Sequence, residues 1–200
     1  MAYRETAKTR AKADERRTRI EQAARHVIAR GGIAAASIAS VAREAGCSSG
    51  LIYTYYSSRD ELLRVVFARA AGHELAVVEA AVESASNAAD IVDSVVEVFV
   101  RRAVTGRTLA YALLLEAVPE SVQIERMALR RGYVAAIASG IEGRYQTTTS
   151  AEVAARALVG SIAENLVDVL DPAKEPPSVS AVEALITELS VFARTAIGEQ

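Results

Sequence analysis

The sequence predicts an all-α protein in which a small N-terminal domain precedes a larger helical domain. Alanine and valine are abundant, while the 200 residues include 11 glycines and four prolines, a composition that favours helices. Apolar residues recur at positions i, i+3, i+4 and i+7 along most of the chain, which is the pattern of amphipathic helices. Glycines, prolines and capping residues divide this pattern into about nine segments, and none shows the alternation typical of a strand.

The first three predicted helices precede residue 57. Asp14 caps the first helix, and Gly31-Gly32 ends it, because glycine tolerates the left-handed conformation common at helix ends. The second is a short helix between the cap Ser37 and Gly46, and the third begins after the cap Ser48. Two short helices joined by a tight turn that contains glycine predict a helix-turn-helix.

Six more helices are predicted beyond this motif. Ser58 and Glu61 form a capping box that opens the fourth helix, which runs to about Ser84. A proline-rich linker at residues 171–177 precedes the last helix. The remaining helices are expected between Asn87 and Gly106, over residues 107–117, over residues 120–144, from the capping box Thr149-x-x-Glu152 to residue 170, and from Ser180-x-x-Glu183 to about residue 197.

The charge distribution divides the chain near residue 64. Residues 1–64 contain 12 basic and 7 acidic side chains, a balance of +5, whereas residues 65–200 contain 11 and 18, a balance of −7. A basic N-terminal third suggests a module that binds a polyanion, although chance clustering of surface charge gives the same totals. Residues 1–13 are expected to form a flexible basic arm that adds sequence-independent attraction to DNA. A merely solubilising tail is the alternative.

Several classes of protein are disfavoured. The longest apolar run, residues 113–118, is interrupted by Glu116 and is too short to span a bilayer. A single cysteine, Cys47, excludes an intrachain disulfide and, with no secretory signal, favours a cytoplasmic location. His26 and His73 belong to no metal-binding motif, and the sequence has no P-loop, dinucleotide fingerprint or nucleophile elbow. We therefore expect no catalytic residue, metal or cofactor.

Residues 45–62, AGCSSGLIYTYYSSRDEL, resemble the characteristic segment of the tetracycline-repressor (TetR) family of transcriptional regulators. The helix that ends at residues 25–32 has matching spacing, and the resemblance covers about residues 14–70. Cys47 and Tyr56 stand where an aliphatic residue and phenylalanine are usual, and both keep an apolar body. The resemblance implies a DNA-binding domain at residues 14–57 and a domain for ligand binding and dimerisation at residues 58–200.

The resemblance assigns DNA contacts to nine residues. Leu51 is apolar, so a thymine methyl group is its expected partner. Ile52, Tyr56 and Cys47 are expected in the core that supports the short third helix. The alternative places Tyr53, Tyr55 and Leu51 in that core as well. The residues expected to hold phosphates are Ser37, Ser48, Tyr53, Tyr55 and Arg59, and those expected to face base edges are Ser49, Gly50, Leu51 and Thr54.

For the larger domain, the resemblance implies a homodimer that binds a palindromic operator and a small apolar or amphipathic ligand that releases it. A repressor is expected, although activators share the fold. The dimer interface is expected at stripes on the last two helices, with an intrachain core as the alternative. These stripes contain Ala154, Ala157, Leu158, Ser161, Ile162 and Leu166 on one helix and Leu185, Ile186, Leu189, Phe192 and Ala193 on the other.

The candidate ligand contacts are polar residues set among apolar helix positions. Glu116 is the leading candidate because its flanks are the most apolar, and it would suit a cationic or hydroxyl-bearing ligand. The others are His73, Arg101, Arg102, Tyr111, Glu164, Asn165 and Asp168, each of which is otherwise a solvated or already hydrogen-bonded side chain. Two other functions remain open: a helical scaffold that does not bind DNA, and a helix-turn-helix regulator of another class.

Overall fold

The structure is a computed structural model that describes residues 7–142 and 149–197, with side chains from residue 9 to 142 and from 149 to 196. The all-α prediction is confirmed, and none of the described helices is long and apolar enough to cross a membrane. The described residues form nine helices: α1 (Ala7–Ala35), α2 (Ile38–Ala45), α3 (Ser49–Tyr53), α4 (Arg59–Ser84), α5 (Ala88–Thr105), α6 (Arg107–Leu114), α7 (Glu120–Ile141), α8 (Ala151–Leu170) and α9 (Val179–Ile197).

Four helices begin at caps that the sequence predicts. The Oγ atoms of Ser37, Ser48 and Ser58 accept the backbone N–H groups three residues later, at 3.0–3.2 Å, and so open α2, α3 and α4. Asn87 opens α5 in the same way, at 2.9 Å. Each cap satisfies a backbone N–H that has no partner within its own helix. These helix beginnings therefore depend on residues close in sequence.

The first helix is longer than predicted. It begins at Ala7 rather than after Asp14, so residues 7–13 are helical and the prediction of a flexible arm is wrong for them. Residues 1–6 lie outside the described range. Alanine, lysine and arginine dominate residues 7–13, and these good helix formers carry the helix past the expected cap. At Gly31-Gly32 the helix is kinked, and the second glycine has a φ of +74°.

Polar groups bind the last carbonyls of two helices, and the second of these helices ends earlier than predicted. α3 ends at Tyr53, where the Thr54 hydroxyl donates to the Leu51 carbonyl at 2.6 Å. α6 ends at Leu114 rather than at residue 117. There the Arg126 guanidinium donates to two carbonyls of the last turn of α6, at 2.9 and 3.0 Å. Such bonds satisfy carbonyls that have no partner within the helix.

Two other helices begin at serines near the predicted caps. α8 is capped by Ser150 instead of Thr149, and the Ser150 Oγ accepts the Val153 N–H at 3.3 Å. α9 begins at Val179, before the predicted Ser180. In both segments several hydroxyl residues adjoin, so the capping pattern fits more than one position.

Helix α5 lies at the centre of the larger domain. It packs against α4, α6, α7, α8 and α9, and its valines Val92, Val95, Val96 and Val100 are fully buried. Helix α1 packs against α2 and α4 and also against α6. The contact between α1 and α6 therefore joins the helix-turn-helix to the larger domain.

Gly140 allows close packing between α7 and α4. A Cβ atom at this position would lie 2.3 Å from Val82 Cγ1 and 3.2 Å from Ile91 Cδ1. We expect Gly140→Ala to lower the free energy of unfolding by about 1–3 kcal/mol through overpacking. Gly72→Ala is the matched control, because no atom lies within 4 Å of its Cβ position, and it should stabilise α4 by about 0.5–1 kcal/mol. Equal effects of both variants in chemical denaturation would contradict this description of the packing.

Candidate DNA-binding site

The helix-turn-helix consists of α2, a tight turn and α3. Gly46 ends α2 in the left-handed conformation, with φ 64° and ψ 39°. The Cys47 N–H then donates back to the Ala42 carbonyl at 2.9 Å, and Ser48 opens α3. Glycine adopts this backbone conformation without a steric penalty. The turn therefore directs α3 away from α2 within three residues.

A buried polar contact holds the end of α3 against α1. Tyr56 and Glu21 are both buried, and the Tyr56 hydroxyl donates to Glu21 Oε1 at 2.7 Å. Arg69 of α4 pairs with the other oxygen of the same carboxylate. Burial and the Glu21 carboxylate raise the pKa of Tyr56, so the phenol stays protonated and remains a donor. The sequence analysis missed Glu21, which adjoins the apolar stripe of α1.

Tyr56 thus differs from the usual phenylalanine for a structural reason, since its hydroxyl has a charged partner. Ile52 is also buried, and Cys47 is partly buried against the core. These three positions agree with their expected role in supporting α3. A helix of five residues buries little surface of its own, so it depends on this support.

Most of the predicted DNA contacts lie on the exposed side of the motif. Tyr53 is 55% exposed, which rules out the alternative that it belongs to the core. Leu51 and Tyr55 are half-buried, and Arg17 lies over the Tyr55 ring at 5.9 Å from its centre. The remaining predicted contacts on α3 and its flanks are Ser48, Gly50 and Thr54, which are exposed, and Ser49, which is half-buried.

Three predicted phosphate contacts, Ser37, Ser48 and Arg59, have hydrogen-bond partners within the chain. Arg59 Nε donates to the Ala36 carbonyl at 2.8 Å, and Arg59 Nη2 donates to the Ile33 carbonyl at 2.6 Å. Arg59 therefore holds the C-terminal end of α1 and its linker to α2, while its side chain is 34% exposed, so its role as a phosphate contact stays a prediction. Ser37 is exposed, but its Oγ accepts the Ser40 N–H as the cap of α2.

The same segment is also held by Glu116, which follows α6. Glu116 Oε2 accepts the Ile33 N–H at 2.8 Å, and Glu116 Oε1 accepts the Ala34 N–H at 3.1 Å. Both oxygens would lie 2.9 Å from a Cβ atom at Gly32. The Glu116 carbonyl in turn accepts from Arg126 of α7 at 2.8 Å. We call this arrangement of Gly32, Ile33, Ala34 and Glu116 the interdomain clamp.

The larger domain contains two adjoining cavities of about 340 and 270 Å³. The first lies among α1, α4, α5, α6 and α7, and the second among α5, α6, α7 and α8. Five residues line both: Phe99, Leu113, Leu114, Leu129 and Tyr133. These residues are apolar or aromatic, which is typical of the walls of small-molecule sites.

Few of the predicted ligand contacts line these cavities. Arg101 lines the first and Glu164 the second. Glu116, the leading candidate, lines neither, because its carboxylate is bound to the backbone of the interdomain clamp. Arg102 also lines the first cavity. Outside both cavities lie His73, Asn165 and Asp168, which are exposed, and Tyr111, which is half-buried.

The predicted dimer residues divide between the core and the surface. Leu158, Ile162 and Leu189 are buried within the chain, so their assignment to a dimer interface is wrong and the core alternative holds. Leu166 and Ala193 are buried as well. Of the others, Ala157 and Phe192 are exposed, while Ala154, Ser161, Leu185 and Ile186 are half-buried.

The exposed apolar residues of α8 and α9 form a different stripe. Val153, Ala157 and Val167 follow one another at helical spacing on α8, and Phe192 of α9 lines a small cavity together with Val153 and Ala157. Val153 and Phe192 are 54% and 55% exposed. We call these four residues the α8–α9 apolar face.

The sequence of the N-terminal part matches a known family. Residues 20–66 match the family model of the bacterial regulatory proteins of the tetR family. The matched residues run from the middle of α1 through α2 and α3 into the start of α4. The resemblance noted at residues 45–62 is thus confirmed. No curated protein sequence matches the chain.

Solved structures extend the similarity beyond residues 20–66 to almost the whole chain. FadR from Bacillus halodurans, a fatty acid degradation regulator, is 18% identical with a TM-score of 0.72, and the match covers 92% of this chain and 97% of that one. The transcriptional regulator FadR from Bacillus subtilis, solved in complex with stearoyl-CoA, is 18% identical with a TM-score of 0.73, covering 90% and 98%. A proposed TetR-family transcriptional regulator from Rhodococcus sp. is 19% identical with a TM-score of 0.72, covering 92% and 100%.

At these identities the similarity concerns the fold. The chain therefore has the fold of TetR-family regulators, in which the helix-turn-helix precedes a larger helical domain. The match over residues 20–66 and the shared fold support a DNA-binding regulator, a class of protein that is in general not enzymatic. Among the residues with described side chains, no group of histidine, cysteine, aspartate or glutamate is arranged to hold a metal ion.

Proposed function

We propose that this protein is a homodimeric transcriptional repressor that binds a palindromic operator and leaves it when a small ligand binds. Residues 14–57 form the DNA-binding domain, and residues 58–200 bind the ligand and form the dimer. The observation that carries this proposal is the match of residues 20–66 to the tetR family, together with the exposed face of α3.

The exposed groups of α3 suit the two kinds of contact that DNA offers. The exposed Tyr53 phenol and the Ser48 hydroxyl are available to donate to phosphates, which position a protein on the duplex. Gly50 allows close approach of the backbone, and Leu51 faces a thymine methyl group. The exposed arginines of α1, Arg16 and Arg19 among them, add attraction that does not depend on sequence.

The α8–α9 apolar face supports the proposed homodimer. Large apolar side chains that share one surface stripe favour association, because burial removes them from water. A twofold dimer presents two copies of α3, so the matching operator has two half-sites about 34–36 Å apart, or a multiple of one helical turn.

The cavities of the larger domain are the ligand site in this proposal. FadR from B. subtilis was solved with stearoyl-CoA, which has a long apolar chain and a polar head. A small apolar or amphipathic molecule likewise suits cavities whose shared walls are apolar. The ligand releases DNA only if its affinities for the DNA-bound and free geometries differ, typically by about 1–3 kcal/mol.

The proposal is tested by fluorescence anisotropy of labelled intergenic DNA next to the gene of this protein, at two salt concentrations. We expect binding that survives an excess of nonspecific competitor, with two chains, or a multiple of two, per site. Affinity should fall at higher salt because phosphate contacts release counterions. Binding that competitor abolishes would reduce the proposal to a basic surface, and absence of binding at low salt would favour a helical scaffold.

A further inference from the structure

The two cavities meet at one buried phenol. Tyr133 of α7 lines both of them, and its ring packs edge-to-face against Phe99 with 4.6 Å between the ring centres. The other residues that line both are three leucines and Phe99. Because the cavities share these walls, we describe them as two lobes of one pocket: a first lobe toward α1 and a second lobe toward α8.

The Tyr133 hydroxyl is a donor without an acceptor. Tyr133 is 6% exposed, and its hydroxyl forms no hydrogen bond with any residue that the structure describes. Burial and the nearby Glu74 carboxylate raise its pKa, so the phenol stays protonated. An oxygen atom of a ligand in this pocket would accept a hydrogen bond from this phenol.

The first lobe has basic residues along its rim. Arg101 forms ion pairs with Glu97 and Glu183, and Arg102 forms a bidentate ion pair with Glu74. Arg25 of α1 also lines this lobe, and it forms no ion pair with any described residue. Its charge is therefore available to a ligand anion at the opening of the pocket.

We propose that this pocket binds an acyl compound, with the apolar chain in the second lobe, a carbonyl oxygen accepting from Tyr133 and an anionic head group at Arg25. This inference rests on the proposed function for its regulatory meaning, but the binding itself does not require DNA. It goes beyond the fold in naming the ligand chemistry and the two residues that recognise it. The carbonyl satisfies the buried phenol, and the head group contacts the DNA-binding domain directly.

The test is isothermal titration of the full-length protein, without DNA, with lauroyl-CoA and with laurate. Both have an apolar chain, an acyl oxygen and negative charge, but in laurate one carboxylate supplies both the oxygen and the charge. The two compounds therefore distinguish a thioester from a free carboxylate as the source. Dodecyltrimethylammonium has the same chain length but lacks a carbonyl and carries a positive charge. Coenzyme A alone tests the head group without the chain.

We expect lauroyl-CoA or laurate to bind with one molecule per chain. Dodecyltrimethylammonium and coenzyme A should bind at least about tenfold more weakly. Tyr133→Phe keeps the ring and should weaken binding about 3- to 10-fold, the effect of one neutral hydrogen bond. Arg25→Ala should weaken binding by a similar or larger factor. The matched controls are Tyr111→Phe and Arg156→Ala, which lie outside both lobes and should leave the dissociation constant unchanged.

Three results would overturn the inference: no binding of either lauroyl compound, equal binding of the cationic detergent, or unchanged affinity in Tyr133→Phe. Preference for lauroyl-CoA over laurate, or the reverse, supports it and identifies the source of the carbonyl. A protein that binds laurate or lauroyl-CoA but no DNA would contradict the proposed function and leave the pocket assignment standing. A protein that binds DNA but neither compound would contradict the pocket assignment and leave the proposed function standing.

Discussion

Replacing Gly32 with alanine should break the interdomain clamp and destabilise the protein by about 1–3 kcal/mol from backbone strain alone. The φ of +74° and ψ of −179° at this residue belong to a region that is essentially restricted to glycine. A Cβ atom would also lie 2.9 Å from both Glu116 oxygens, so the carboxylate would have to move. The added loss of two charge-assisted hydrogen bonds makes this one of the largest effects expected for a single methyl group.

Glu116→Ala removes the two hydrogen bonds of the clamp without introducing backbone strain at Gly32. It leaves the Ile33 and Ala34 N–H groups without their acceptor, and we expect a loss of about 1.5–3 kcal/mol in chemical denaturation. The double variant with Gly32→Ala should lose less than the sum of the two, because both changes break the same contact. Strict additivity would show that the two residues do not act together.

The clamp also predicts a functional effect. Arg126 donates to carbonyls of α6 and of Glu116, so displacement of α6 by a ligand would reach the segment between α1 and α2. We expect Glu116→Ala to retain DNA binding but to reduce its release by ligand. Unaltered release in this variant would place the coupling elsewhere, for example in the α1–α4 contact.

Introducing a charge on the α8–α9 apolar face should disrupt the proposed dimer. In a twofold interface Phe192→Asp occurs in both copies, and an unpaired buried carboxylate typically costs about 3–5 kcal/mol. We therefore expect dimer affinity to fall by at least about 100-fold. Operator affinity should fall with it, because one α3 contacts only one half-site.

The measurement is sedimentation velocity over a range of protein concentrations, followed by operator binding at a concentration where the variant is monomeric. Ile124→Asp is the matched control, because Ile124 is a similarly exposed apolar residue on α7, outside this face. A Phe192→Asp variant that sediments as the wild type would remove the α8–α9 apolar face from the interface.

The helix beginnings could be predicted because their determinants are local. Ser37, Ser48, Ser58 and Asn87 bond to N–H groups three residues away, so the sequence contains both partners within a short window. The burial of Ile52 could also be predicted from nearby residues, because Ile52 lies within the segment that resembles the family motif. The fold class and the position of the helix-turn-helix depended on signals of this kind.

The roles of Glu116 and Arg59 could not be predicted in the same way. Glu116 bonds to backbone groups more than 80 residues earlier in the chain, and Arg59 bonds to carbonyls 23 and 26 residues earlier. A polar residue among leucines has the same local pattern in a ligand pocket and in a structural contact. Only the packing of α6 against α1 decides between them.

The prediction of the dimer-interface residues was wrong for a related reason. α8 has apolar residues on more than one side, so helical spacing alone did not say which side faces the core. Leu158 and Ile162 belong to the buried side, whereas Val153 and Val167 belong to the exposed one. Tyr133 was missed because its aromatic body fits a core stripe, and the missing partner of its hydroxyl is visible only in three dimensions.

The central claim, sequence-specific DNA binding by a dimer through α3, is tested most directly by selecting bound duplexes from a random DNA pool and sequencing them. We predict an enriched palindrome whose half-sites are one helical turn, or a multiple of it, apart. Selection with Leu51→Ala should relax the preference at a thymine within each half-site. Recovered sequences that do not differ from the starting pool would contradict the claim.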